Sequence, residues 1–461
     1  MTGERKEPQP LTRTLGVWGV LFLTLSITTP ASSVFVIAPG ILGEAGSGAV
    51  WALAIAAVVS IATSYVYAEL SSAWPVAGGE YVFVSQALGP AAGFVMLAVN
   101  LVSNILIAPV LALGVAEMLG TFIPGLPAVP IAIAVLAAAT SIGILNIRLN
   151  AIITGAFLVI ELIALVVVVI LGLLEPLQPL ALFTDPVIAE EGGLAPMTFA
   201  GLGTATAIAI FAFNGPGCAI YFGEEMHDSA RQLSRAILAS SILAILSIGL
   251  PVLAALVAAP DIHAFLTDDD PFTSFVGASG GPVLAAFVSG GVVLAIVNAI
   301  IASLLACARF LYGSARDRSW NIWLDEALAA IHPRWGSPWL GTLIVGGITI
   351  ACCMLPLAFL LVLSGAGLIV IYGGISIAAL VARRRGLTKD APYRMPLFPL
   401  PPLIVLSALS VVVWATWLDE EEGRFALIAT GAQILVALGY YRLVLARRGW
   451  SAWVPGKGSV A

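Results

Sequence analysis

The sequence predicts an all-α polytopic membrane protein with twelve transmembrane helices, and three observations lead to that prediction. Hydrophobic residues make up 60% of the 461 residues, against about 45–50% in a typical soluble domain. Charged residues make up only 10%, where about 25% is usual. The apolar runs are continuous over about twenty residues, which suits a membrane helix and is too long for a barrel strand. A soluble enzyme, a nucleic-acid-binding protein and a disordered scaffold are excluded, because none could bury this much apolar surface.

Glycine, proline and charge clusters divide the apolar runs into twelve predicted spans. They cover 14–42, 49–73, 87–119, 127–146, 150–173, 197–224, 233–257, 282–312, 338–356, 358–382, 399–418 and 424–445. A tail of residues 1–13 precedes them, loops 174–196 and 383–398 follow the fifth and tenth spans, and a tail of residues 446–461 ends the chain. No small-residue cleavage site follows the first run, so we interpret it as a retained span rather than a signal peptide.

Basic residues gather on one side of the predicted membrane. If the N-terminus is cytoplasmic, 19 of the 20 lysines and arginines lie in cytoplasmic segments and only Arg424 lies outside. Acidic clusters at 190–191, 268–270 and 419–422 fall on the opposite side. The positive-inside rule therefore predicts a multi-pass protein of the cell membrane, plasma or inner, with both termini in the cytoplasm. The basic run 383–385 is either a site for lipid headgroups or a simple topology anchor.

Two predicted helices contain residues that a plain membrane anchor avoids. The first span carries T-T-P-A-S-S at 28–33, and the sixth carries F-N-G-P-G at 213–217. Proline and glycine interrupt a helix, and interruptions at corresponding positions in two halves of a chain indicate a binding site between inverted repeats. The repeats would be 14–173 and 197–382, followed by two further spans at 399–445. Broken helices expose N–H groups that attract anions and carbonyl groups that attract cations, whereas a kinked helix without a ligand is the alternative for either break alone.

Several segments resemble the amino acid–polyamine–organocation superfamily and its amino acid permeases. Residues 68–81, A-E-L-S-S-A-W-P-V-A-G-G-E-Y, are similar to that family's A-E-L-x(4)-P-x-x-G-G-x-Y pattern. Residues 309–317, R-F-L-Y-G-S-A-R-D, are similar to its R-x-L-Y-x-x-A-R-D, and the sixth span continues to a glutamate pair at 224–225. The resemblance implies the LeuT-type five-plus-five fold and secondary active transport of an amino acid or a related amine. No His/Cys/Asp metal cluster or nucleophile motif appears in the sequence, so no enzymatic activity is predicted, and no cofactor is expected beyond a coupling ion, H⁺ or Na⁺.

The resemblance also implies a substrate site at the two breaks. Backbone N–H groups from Ala31 onward would face a substrate carboxylate, and carbonyl groups near Ile27 and Phe213 would face its ammonium group. Phe211 falls where relatives often place an aromatic gate. Ala31 and Ser33 replace two glycines of the family pattern, so hydroxyl groups are expected to share in recognition. The predicted substrate site comprises Ile27, Thr28, Thr29, Ala31, Ser32, Ser33, Phe211, Phe213, Asn214 and Gly215.

A single acidic residue, Glu161, lies near the middle of a predicted span, the fifth. A charge at the centre of a bilayer is costly and generally faces the interior of the bundle. In relatives a lysine on this span can stand in for a bound sodium ion, so Glu161 could bind a cation, carry a proton, or be a structural acid bonded to a carbonyl group. Asn298 and Ser303 on the eighth span are its expected neighbours. A proton is favoured over sodium, because one acid suffices for a proton.

Glu69, Arg309 and Arg316 lie near predicted cytoplasmic ends and form a candidate inner gate, with topology-setting arginines as the alternative. The predicted function is thus secondary active transport of amino acids or amines by alternating access, as a proton-coupled symporter. An exchanger and a membrane sensor that binds without transporting are the rival hypotheses. The expected partners are a small-molecule substrate and the lipid bilayer, with no nucleic acid and no metal, and the oligomeric state is left open.

Overall fold

The computed structural model describes residues 11, 13–122, 125–179, 181–190, 193–418 and 423–454. Most of the predicted N-terminal tail, the end of the predicted C-terminal tail and the acidic cluster at 419–422 lie outside the described residues, as does Glu191.

The described chain is built almost entirely from helices. The first half contains α1 (Val17–Thr28), α2 (Pro30–Ser32), α3 (Ala38–Ala45), α4 (Ala49–Ala73), α5 (Glu80–Leu88), α6 (Pro90–Phe122), α7 (Ala128–Gly143), α8 (Ile147–Leu174) and α9 (Ala181–Thr184). The second half contains α10 (Phe199–Ala212), α11 (Ser229–Ala258), α12 (Ile262–Thr267), α13 (Pro271–Gly280), α14 (Pro282–Arg316), α15 (Ile322–Leu328), α16 (Trp339–Cys352), α17 (Leu357–Arg384), α18 (Leu400–Leu418) and α19 (Gly423–Tyr440). A hairpin of β1 (Val187–Glu190) and β2 (Gly193–Pro196) separates the halves.

Each predicted span coincides with one helix or one broken helix, and the predicted ends agree with the observed ends to about one helical turn. Among the described residues, nine stretches are long and apolar enough to cross a membrane. The first, Val17–Ala73, has 57 residues, which is more than twice what one crossing needs. The helices α7 and α16 are apolar but shorter. The polytopic helical class is therefore confirmed, whereas the count of twelve and the inverted repeat stay predictions.

The helices around the breaks pack closely because small residues line their contacts. The helix α1 packs against α8, α11 and α14, and α4 packs against α10 and α11. At Gly172 of α8, an added Cβ would lie 2.4 Å from the carbonyl oxygen of Ala254 on α11. Such a close approach is possible only for glycine, and it allows α8 and α11 to pack at short range.

The two ends of the bundle differ. At one end, called the hairpin end, the β1–β2 hairpin covers the turn between α3 and α4, where Ser47 donates a hydrogen bond to the carbonyl of Leu182 at 2.9 Å. The other end, called the basic end, carries Arg309, Arg316 and Arg383. The sequence predicts only a loop at 174–196, whereas the structure forms α9 and the hairpin there.

Candidate functional site

The first helix breaks where the sequence predicts, at Thr29 and Pro30. Thr29 has a φ of 42° and a ψ of 72°, so the chain leaves the right-handed helical region for one residue. Its N–H still donates to the carbonyl of Leu25 at 2.9 Å, which ends α1. Pro30 then starts α2, as suits a residue without an N–H at the first helical position. The break leaves the first-turn N–H groups of a new helix pointing into the middle of the bundle.

The second break separates α10 from a 3₁₀ helix at Pro216–Glu225. Gly215 has a φ of 133°, a conformation that disfavours any other residue. The continuation beyond the break is a 3₁₀ helix rather than the α-helix that a simple interrupted span would give.

The two breaks touch each other. A Cβ at Gly215 would lie 2.9 Å from the Cα of Thr28 and 2.2 Å from its Oγ1. Beside this contact, the hydroxyl of Ser33 donates to the carbonyl of Ala212 at 3.0 Å. Thr28, Ser33 and Gly215 are therefore brought together as one central cluster, whereas the side chain of Phe211 is 40% exposed.

The carboxyl group of Glu161 on α8 binds at the start of α2. Its Oε1 accepts the N–H of Ala31 at 2.8 Å and the hydroxyl of Thr29 at 3.4 Å. The side chain is fully buried, and its Oε2 has no hydrogen-bond partner among the described residues. An N–H group that the family resemblance assigned to a substrate carboxylate is thus occupied by a carboxylate of the protein itself.

The two expected neighbours of Glu161 are placed differently. The amide of Asn298 donates to the hydroxyl of Ser26 at 2.8 Å and to the carbonyl of Thr154 at 3.1 Å, so it joins α14 to α1 and α8. Its Oδ1 is a further buried acceptor without a partner in the described structure. Ser303 donates to the carbonyl of Ile300 on its own helix. Asn298 therefore belongs to the packing beside the first break, whereas Ser303 does not bond to Glu161 or to Asn298.

Tyr372 on α17 stands between two cavities at the second break. A small cavity of about 20 Å³ is lined by α4, the second break and Tyr372, with Thr63 and Gly217 among its walls. A larger cavity of about 260 Å³ lies on the other side, toward the hairpin end, and Phe211 lines it. The hydroxyl of Tyr372 donates to Oδ1 of Asn214. The sequence analysis did not single out Tyr372, although a tyrosine in the middle of an apolar span was a usable signal.

The three predicted gate residues are divided between two ion-pair networks, with the two arginines in one and Glu69 in the other, and their role as a gate stays a prediction. Arg309 is fully buried and binds Glu225 through two hydrogen bonds of 2.5 and 3.0 Å. Arg316 binds Glu224 at 2.5 Å. Both pairs join α14 to the end of the second broken helix, because the glutamates at 224–225 end the 3₁₀ helix.

Glu69 pairs instead with Arg383 of α17. Its carboxylate also accepts the hydroxyl of Thr388 at 2.7 Å and the N–H of Met395 at 2.8 Å. Arg383 lies over the ring of Phe398, 4.8 Å from its centroid. This arginine is therefore held by protein groups rather than presented to lipid headgroups.

Backbone hydrogen bonds also join the two broken helices at the basic end. The N–H groups of Thr14 and Leu15 both donate to the carbonyl of Glu225 at 2.9 Å. The N–H of His227 donates back to the carbonyl of Leu15 at 3.1 Å. The segment before α1 and the end of the 3₁₀ helix thus form a short parallel bridge.

Residues 449–454, called the strap, fold back across the same end after α19. The indole of Trp450 donates to Ser319 at 3.1 Å, and the N–H of Trp453 donates to Asp317 at 3.1 Å. The guanidinium of Arg316 lies 4.3 Å from the centroid of the Trp453 ring. The strap therefore covers the ion pair of Arg316 with Glu224.

A second buried carboxyl group, Glu80, was not among the predicted site residues. It sits at the variable position of the G-G-x-Y motif and starts α5. Its carboxylate accepts Tyr67 at 2.9 Å, Asn100 at 2.9 Å and Tyr221 at 3.0 Å. The signal that could have found it was an acidic residue inside a motif whose other variable residues are small or apolar.

Comparison with known proteins agrees with the membrane fold. The family profile described as amino acid permease matches residues 15–437. An uncharacterized transporter of Mycobacterium tuberculosis is 28% identical over 96% of this chain and 94% of its own. The branched-chain amino acid permease BcaP of Bacillus subtilis is 23% identical over 88% of this chain and 89% of its own. The low-affinity putrescine importer PlaP of Escherichia coli is 22% identical over 89% of this chain and 88% of its own. Because the profile covers nearly the whole chain, the protein belongs to the amino acid permease family of the amino acid–polyamine–organocation superfamily, a family of transporters rather than enzymes.

Proposed function

We propose that this protein is a secondary active symporter that carries an amino acid or a related amine together with a proton by alternating access. The single observation that carries the proposal is the contact between Glu161 and the N–H of Ala31 at the first break. A buried carboxyl group at the start of a half-helix can hold or release a proton where the substrate binds. Membership of a transporter family supports the reaction class.

The proposed architecture has twelve spans, with 14–173 and 197–382 as inverted repeats and the basic end in the cytoplasm. Breaks in the first and sixth of these helices, in contact at Gly215 and Thr28, support the repeat. The excess of arginine at the basic end supports the orientation. Cysteine labelling from the outside that reached residues 383–394 would contradict this arrangement.

Proton coupling is proposed over sodium coupling because of the oxygen atoms near Glu161. Hard cations in proteins take about six oxygen ligands. Among the described residues, the carboxyl group of Glu161 bonds only to the N–H of Ala31, which repels a cation, and to the hydroxyl of Thr29. A proton needs only the free Oε2 of the carboxyl group itself.

The same contact would bind the two proposed substrate classes in different ways. An amino acid would displace the Glu161 carboxylate from the N–H of Ala31, whereas an amine would bind to its free Oε2. The relatives named above include a branched-chain amino acid permease and a putrescine importer. The first substrates to test are therefore leucine and putrescine, one of each chemistry.

The test is uptake of each labelled substrate into proteoliposomes, with the pH gradient and the sodium gradient imposed separately. We expect wild-type accumulation to require the pH gradient and Glu161→Gln to lose accumulation while it keeps substrate binding. Glu175→Gln, at the exposed end of the same helix, is the matched control and should accumulate substrate normally. Binding without accumulation by the wild-type protein would favour a sensor, and full accumulation by Glu161→Gln would leave Glu161 a structural acid.

A further inference from the structure

Glu80 is a buried carboxyl group that the proposed transport cycle has not used. It is 3% exposed and lies at the start of α5, a nine-residue helix outside the candidate spans. Within the described residues it forms no ion pair, and the three arginines that form ion pairs at this end, Arg309, Arg316 and Arg383, bind other acids. A buried carboxylate without a counter-ion is costly, so the proton is the partner that would neutralise it.

The groups around Glu80 come from three elements, and one of them belongs to a broken helix. Tyr67 lies on α4 and Asn100 on α6, whereas Tyr221 lies on the 3₁₀ helix beyond the second break. The amide of Asn104 extends the cluster by donating to the hydroxyl of Tyr221 at 3.3 Å. Any movement of the 3₁₀ helix away from α6 would therefore remove a hydrogen bond from Glu80 and admit water to it.

Tyr67 also connects Glu80 to the centre of the protein. Its ring lines the small cavity at the second break, and a Cβ at Gly217 would lie 2.5 Å from that ring. The same tyrosine donates its hydroxyl to Glu80. The side chain of Tyr67 thus separates the small cavity at the second break from the buried carboxyl group of Glu80.

We propose that Glu80 is a proton-binding site at the basic end, whose proton holds the 3₁₀ helix closed and is released when that end opens. The proposal rests on the proposed transport function and adds a second titrating carboxyl group to it. The cavity of about 20 Å³ beside Tyr67 has room for about one water molecule. A proton is therefore the cation that reaches Glu80 without opening the protein.

Burial raises the pKa of Glu80 to about 7, although the hydrogen bonds from Tyr67, Tyr221 and Asn100 lower it in part. The other titratable groups that face it are Tyr67 on α4, Cys218 and Tyr221 on the 3₁₀ helix, and Tyr372 on α17, and the ordinary pKa values of tyrosine and cysteine lie above this pH range. In the open, hydrated form the pKa should return toward about 4.3. At pH values between these two pKa values, the closed form binds more protons than the open form. The free energy that favours the closed form therefore falls as the pH rises from about 4 through about 7.

The direct test is infrared difference spectroscopy of the purified protein, titrated from about pH 5 to about pH 9 without substrate. We expect a carboxylic acid band with a midpoint near the pKa of Glu80, absent in Glu80→Gln and retained in Glu161→Gln. In Tyr221→Phe the midpoint should move to higher pH, because the lost hydrogen bond favoured the ionised form. Tyr65→Phe, which does not contact Glu80, should leave the midpoint unchanged. A spectrum in which Glu80→Gln alters no titrating band would overturn the proposal.

A second measurement follows uptake while the pH inside the proteoliposomes is varied and the outside pH is held. Wild-type uptake should accelerate as the inside pH rises through about 7, and Glu80→Gln, permanently neutral, should be slow at every inside pH. An unchanged inside-pH dependence in Glu80→Gln would overturn the role in opening. Because the infrared titration needs no transport, it tests whether Glu80 binds a proton even if the symport proposal fails.

Discussion

Gly215 is the residue at which the two broken helices touch, and its lack of a side chain sets their distance. Its φ of 133° disfavours any other residue, and an added Cβ would lie only 2.9 Å from the Cα of Thr28, which leaves no space for it. The central cluster, with Glu161 bound to Ala31 beside it, depends on this contact.

We therefore expect Gly215→Ala to destabilise the protein by at least about 2 kcal/mol and to abolish substrate binding, since strain and a clash act together. Gly249→Ala, in the middle of α11 with open space around its Cα, is the matched control and should not destabilise. Thermal unfolding of the two variants in detergent measures the difference. Equal stability of Gly215→Ala and wild type would contradict the contact.

The Arg309–Glu225 pair gives a second prediction at the residue scale. Glu225→Gln leaves a fully buried guanidinium without its carboxylate, which should cost about 3–5 kcal/mol. The double variant Arg309→Met with Glu225→Gln removes both charges and should recover most of that loss. Arg231→Met, at an exposed position, is the control and should have little effect on the unfolding midpoint. A double variant less stable than the single one would show that Arg309 acts through other contacts.

At the scale of elements, Tyr372 of α17 joins the second break and separates the two cavities there. Tyr372→Phe loses one hydrogen bond, worth about 1 kcal/mol. We expect the small cavity to open toward the larger one about fivefold more often.

The measurement is the rate at which a membrane-impermeant thiol reagent labels Thr63→Cys, in a background whose four native cysteines are replaced by alanine. Tyr393→Phe, at the basic end, is the control and should leave the rate unchanged. An unchanged rate in Tyr372→Phe would mean that the tyrosine does not close the passage.

Elements were predictable from the sequence because hydrophobic runs and breaker residues act locally. The bounds of α4 at 49–73 and the break at Thr29–Pro30 both follow from such local signals. Partners of charged residues were not predictable, since Glu69 reaches Arg383 across more than three hundred residues of chain. The binding of Glu161 to Ala31 was hidden for the same reason, because a helix start attracts any carboxylate, whether from a substrate or from the protein.

At the scale of the whole molecule, the strap joins the last helix to the basic end. It reaches α5 through Gln86, whose amide donates to the carbonyl of Ala452 at 3.4 Å, and it reaches α14 through Asp317. Burial raises the pKa of Asp317 to about 6. The strap thus ties together helices that come from both halves of the chain.

Removal of residues 449–461 should therefore loosen the basic end. Three lost hydrogen bonds at about 1 kcal/mol each predict amide hydrogen exchange at least tenfold faster in α5 and at 314–320. Peptides from α12, at the hairpin end, are the internal control and should exchange at the wild-type rate. Trp450→Ala should give a smaller change in the same peptides. Unchanged exchange in the truncated protein would mean that the strap only rests on the surface.

The backbone bridge between the segment before α1 and the end of the 3₁₀ helix limits how the basic end can move. Three hydrogen bonds fix Thr14 and Leu15 to Glu225 and His227, and separating them would cost about 1 kcal/mol each. The two broken helices are consequently joined at this end, and we expect them to move together. Under the proposed symport, this backbone link would make rare a half-open form in which a proton passes without its solute.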